Sequence, residues 1–121
     1  MTRMNTLTLD SRMLLDLYGG SCDDARFILN DYLEKHDEII SSFNEAFHAG
    51  IDPLSRCAHR HSSSFTYIGM PQLTVECKNF ELECKKAADT SLVIPSFERL
   101  MNIINQSIVP VRQELARLDK A

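Results

Sequence analysis

One stretch of the chain, PLSRCAHRHSSSFTYIG over residues 53–69, concentrates the groups able to do chemistry. Two histidines, His59 and His61, are followed by hydroxyls at Ser62, Ser63, Ser64 and Thr66. A neutral imidazole offers a nucleophilic ring nitrogen near physiological pH while its other nitrogen keeps a proton. Short side chains one turn further on would leave that nitrogen open to a large reactant, such as an acyl phosphate carried by a second protein. Phosphoryl transfer asks for in-line positioning and charge neutralisation more than for covalent machinery. A single histidine in a clearing therefore suffices where the partner supplies the metal ion.

Positioning such a histidine needs a helix. The spacing predicts one from about Pro53 to Ile68, stopped at Gly69, with Asp52 as its cap and Pro53 at its first position. Its inward stripe would be Leu54, Cys57, Ala58, His61, Phe65 and Ile68, which turns His61 toward the core as a partly buried, hydrogen-bonded group. His59 falls on another face, in line with Ser62, Ser63 and Thr66.

Rival chemistries fit less well. Cys57 and His61 lie four apart on one helical face and Cys77 could oppose them, but zinc wants four ligands with recognisable spacing. Di-iron bundles repeat Glu-x-x-His on two helices, and here it occurs once, at Glu45 and His48. A serine hydrolase needs a strained elbow and an oxyanion hole, which a glycine-poor helix does not offer. Cys22, Cys57, Cys77 and Cys84 contain no CxxC pair and read as reduced thiols, Cys77 and Cys84 on one apolar stripe. His36 and His48 read as ordinary polar or half-buried positions, His48 in a last helical turn.

The rest of the chain supplies more helices. A short one is expected over Leu9 to Tyr18, stopped by Gly19 and Gly20. Ser21 reads as the N-cap of a long helix from Cys22 to Ala49, ended by Gly50. Another opens at Pro71 and turns Leu73, Cys77, Phe80 and Cys84 inward. The last opens between Ser91 and Pro95, with a kink at Pro110 and a carbonyl left free near Gln106. With four Gly and four Pro in 121 residues, and no β-branched alternation, the expected fold is all-α in a single domain. It would be an antiparallel up-and-down four-helix bundle with a short additional N-terminal helix.

Charge and hydropathy narrow the function classes. A net charge of −4, with basic residues scattered except for Lys85-Lys86, argues against binding nucleic acid. No apolar run reaches the roughly 18 residues of a membrane span, and Met1 to Asn5 has no apolar stretch behind it to form a secretory signal. A cytoplasmic protein is expected.

The stretch around His59 resembles the histidine-containing phosphotransfer (HPt) domains of two-component phosphorelays. Ala58-His59 matches the family's Ala-His pair, Ser64 a small position, and Ile68-Gly69 the apolar-Gly pair that closes the motif. Leu73, Cys77 and Phe80 match the apolar pattern of the family's next helix, and the order of elements agrees over about residues 9–118. The departures are His61 for an apolar residue, Ser62 for the usual Lys, Ser63 for the usual Gly and Phe65 for a commonly small residue.

The resemblance implies a phosphorelay intermediate in signal transduction. His59 would accept a phosphoryl group from a response-regulator receiver aspartate and pass it to another receiver. Ser62, Ser63, Thr66 and Gly69 would form the phosphate environment and docking face. Partners would be receiver domains and a hybrid histidine kinase, with Mg2+ on the receiver, no cofactor or kinase activity of its own, and a monomeric state. Loss of the Lys at Ser62 removes a charge that Lys78 or Lys85 of the next helix would have to replace. Two alternatives stay open: a degenerate member that binds receivers without transfer, and a helical adaptor or metal-binding bundle.

Overall fold

The computed structural model describes residues 7–120. Every regular element among them is helical: α1 (Ser11–Leu17), α2 (Cys22–Ala49), α3 (Ile51–Ser62), α4 (Ser64–Tyr67), α5 (Pro71–Lys86), α6 (Ile94–Gln106) and α7 (Ile108–Asp119). A single 3-10 turn, Thr90–Val93, leads into α6. No helix among the described residues is long and apolar enough to cross a membrane.

Local chemistry explains the boundaries. The Asp10 carboxylate accepts from the Met13 amide at 3.0 Å and starts α1. Ser21 accepts from the Asp24 amide at 3.1 Å and starts α2, with Asp23 and Asp24 at the positive end of its dipole. Gly50, at φ 134°, ends α2 and serves at once as the N-cap of α3. The expected start at Asp52-Pro53 is thus corrected to Ile51. The first amide of α3 that needs an intrahelical partner is Leu54, which finds the Gly50 carbonyl at 3.1 Å. Pro53 lies ahead of it, among positions whose N–H groups have no such partner anyway.

The helix expected to run unbroken to Ile68 is also corrected: it breaks at Ser63 into α3 and α4. Side chains divert its carbonyls. The Ser62 hydroxyl donates to the His59 carbonyl at 2.9 Å, and Thr74 of α5 donates to the Ser62 carbonyl at 2.7 Å. The kink expected at Pro110 falls three residues earlier, at the α6–α7 break. Pro110 has no N–H for the Gln106 carbonyl. Buried Ser107 stabilises the break, donating to the Ile104 carbonyl and accepting from the Tyr32 hydroxyl at 2.6 Å.

Helix α2 packs against α3 on one side and against α6 and α7 on the other, while α5 meets α3, α4 and α6. These elements enclose one core in which Leu29, Phe43, Leu54, Phe65, Leu73 and Ile104 are fully buried. Helix α1 closes over the turn at Gly69, whose carbonyl accepts from the Asp10 amide at 2.7 Å. Gly69 has φ +78°, and a Cβ there would stand 3.1 Å from both the Asp10 carbonyl oxygen and the Leu14 Cβ. Gly69→Ala is expected to cost about 1–3 kcal/mol in urea unfolding, from backbone strain and this crowding together.

All four cysteines are free, and Cys57, Cys77 and Cys84 are buried. Burial pushes the Cys77 thiol up to about 12 and Cys84 to about 11. Iodoacetamide is therefore expected to modify only Cys22 in the folded protein, and the other three once urea unfolds it; mass spectrometry of the labelled peptides reads the difference.

Candidate functional site

His59 lies near the end of α3, between the buried Ala58 and the exposed Arg60. Its side chain is 76% exposed. The ring is nonetheless held, because Nδ1 lies 3.2 Å from the Glu81 carboxylate of α5. Glu81 is only 9% exposed, in the seam between α3 and α5, and it also meets the Lys85 ammonium at 3.0 Å. The Lys85 hydrogen bond is the largest influence on this carboxyl and draws its pKa below the usual value; burial opposes the shift and the His59 bond adds to it. Glu81 is thereby kept ionised and accepts the Nδ1 proton. In the neutral ring this bond leaves the lone pair on Nε2, and that nitrogen has no hydrogen-bond partner among the described residues.

The expected clearing around His59 is only partly present. Ser63 is exposed, as anticipated. Ser62 is corrected: it is 4% exposed, turned into the α3–α5 seam. Thr66 is half-buried and donates to Thr74 at 2.7 Å, tying α4 to α5. Gly69 is buried beneath α1 and cannot belong to an open face. The structure therefore brings His59 and Ser63 to the surface and uses Ser62, Thr66 and Gly69 to hold the surrounding helices.

The remaining histidines have structural surroundings. His61 is half-buried between α2 and α3, its ring 5.5 Å from that of Phe43 and its Nε2 3.3 Å from the Ser42 hydroxyl. Burial first, and the Arg60 charge second, hold its pKa below the ordinary value, which keeps it neutral. His36 is more enclosed than its sequence context suggested. At 4% exposure it stands edge-on to Tyr32, with Nε2 3.3 Å from the Ile104 carbonyl oxygen.

Around His59 the exposed surface is basic and aliphatic. Val75, Lys78, Leu82, Lys85 and Lys86 follow one another at helical spacing along the exposed side of α5, and Arg56 and Arg60 are exposed on α3. The other acids of α5 point elsewhere: Glu76 pairs with Arg99 of α6 through two hydrogen bonds, and Glu83 accepts from Ser96 at 2.8 Å. Glu76 and Glu83 are thus engaged with α6, and Glu81 is the acid of α5 that stands among the cations. No group of three or more His, Cys, Asp or Glu among the described residues could hold a metal ion. Cys57 and His61 both approach Ser42 but gain no third ligand.

Glu81 is the site residue that sequence reasoning missed. Its signal was present, since Glu81 lies beside the inward stripe of Leu73, Cys77, Phe80 and Cys84, where a carboxylate requires a partner. Compared with family models, curated proteins and solved structures, the chain gives no match.

Proposed function

We propose that this chain is a phosphotransfer domain whose His59 takes a phosphoryl group from a receiver aspartate and returns it to a second receiver. One observation carries the reading: an exposed imidazole with Nδ1 anchored on the Glu81 carboxylate and Nε2 free. In the forward step the Nε2 lone pair forms the N–P bond as the acyl P–O bond breaks, its electron pair leaving on the aspartate carboxylate. The ring keeps its Nδ1 proton and gains positive charge, which Glu81 offsets. The step reverses with the same atoms toward the next receiver.

The basic, aliphatic surface of α3 and α5 complements an acidic pocket with an apolar rim, the chemistry a receiver presents around its aspartate and Mg2+. The frame we infer is an antiparallel up-and-down four-helix bundle, with α3–α4 and α6–α7 each acting as one broken helix and α1 across an end. The domain works as a cytoplasmic monomer, without kinase activity, and a hybrid kinase is the natural source of its phosphoryl group.

Incubation with a phosphorylated receiver tests the proposal. Acid-labile, base-stable label on the chain supports it. Receiver binding without label would replace it by a docking scaffold, a reading favoured by the absence of a cation at buried Ser62.

A further inference from the structure

We propose that Lys85 is the counter-ion of the phosphoryl group on His59, released for that task when the phosphorylated ring takes over its bond to Glu81. The inference rests on His59 being the acceptor.

Position 62 cannot neutralise the group, because the Ser62 side chain is buried and already donates to the His59 carbonyl. Arg60 is committed to Ser42 of α2 at 3.1 Å. Lys85 alone among the exposed cations described is bonded to the carboxylate that anchors the imidazole: Nζ to Glu81 at 3.0 Å, and Glu81 to Nδ1 at 3.2 Å. The ammonium and the ring therefore share one carboxylate.

Phosphorylation changes what that carboxylate needs. Before it, Glu81 is bonded both to the ring at Nδ1 and to the Lys85 ammonium. Afterwards the ring is cationic at Nδ1–H, and a dianionic phosphoryl group stands on Nε2. Glu81 then has a full ion pair with the ring, so the exposed lysine gains more from turning to the phosphoryl oxygens. Its four-carbon stem allows that movement without shifting α5.

Potassium phosphoramidate acting on the full chain provides the test, with Lys85→Gln, Lys85→Arg and Lys78→Gln alongside. Nε2 attacks phosphorus while the donor N–P bond breaks, its electron pair leaving on ammonia. Lys85→Gln should slow labelling of His59 about tenfold, the loss of one hydrogen bond between charged groups. It should also raise the 31P titration midpoint of the phosphohistidine, which a purely structural role would not move. Lys85→Arg should restore most of both, and Lys78→Gln, a change on the docking face at a lysine with no bond to Glu81, should slow labelling far less than Lys85→Gln does. A Lys85→Gln protein equal to the wild type in rate and midpoint overturns the inference and leaves His59 as acceptor. Equal losses in Lys85→Gln and Lys78→Gln overturn it too, in favour of a diffuse surface field. No label on the wild type overturns both the acceptor reading and this inference.

Discussion

His59→Gln is expected to lower phosphoryl transfer from a phosphorylated receiver by about three orders of magnitude or more, to the background of the assay. Glutamine keeps the size and polarity of the position but has no nucleophilic ring nitrogen. Because the side chain is largely exposed, the fold should be unaffected and the variant should still bind the receiver in calorimetry. The loss then lies in chemistry and not in docking. His61→Gln gives the contrast. Its ring nitrogen is engaged with Ser42 and its face lies against Phe43, so transfer should stay within about threefold while stability falls by about 1 kcal/mol. Label lost in His61→Gln and kept in His59→Gln would move the acceptor to the half-buried ring.

Phe65→Ala is expected to destabilise the domain by about 3–5 kcal/mol, with urea denaturation as the measurement. Phe65 is fully buried where α3 gives way to α4, edge-on to Tyr32 with ring centroids 6.1 Å apart. Tyr32 in turn donates to Ser107 at the α6–α7 break. One aromatic pair therefore spans the two interrupted helices. A cost of that size is a large part of the roughly 5–15 kcal/mol by which such domains are stable. An effect below about 1 kcal/mol would mean that the core closes around the missing ring.

The resemblance to phosphotransfer domains led one to expect a small residue at position 65, and the periodicity of α3 expected an inward one. Both bear on the same physical fact: the position faces the core, and here the core has room for a ring. Periodicity located α2 to the residue, because Ser21 and Gly50 are unambiguous caps around an uninterrupted stripe. It also put His59 outside and turned Leu73, Cys77, Phe80 and Cys84 inward. It fails at Ser62, since a single helical phase assumes one straight axis, whereas α3 breaks at Ser63, and serine is small enough to sit on either side of a seam. Helix breaks at Ser63 and Ser107 were hidden for a related reason. Each depends on a hydroxyl bond to a carbonyl, and whether a serine bonds its own helix or water is decided by which neighbour covers it. Glu81 needed the three-dimensional pairing of α3 with α5 before its role could be read at all.

The single-residue connection at Gly50 bears on which length changes the chain can tolerate. Helices α2 and α3 share that one residue, so neither can rotate or slide independently of the other. One residue inserted between Ile51 and Ala58 would turn His59 by about 100° around the axis of α3, off the carboxylate and toward its neighbours. Between α5 and the 3-10 turn, by contrast, Ala87 to Asp89 form an irregular, largely exposed bridge with slack to take up extra residues. Insertions and deletions among descendants of this sequence should therefore accumulate near residue 88 and be purged at residue 50. The bearing of the imidazole is inherited with the one-residue link between α2 and α3.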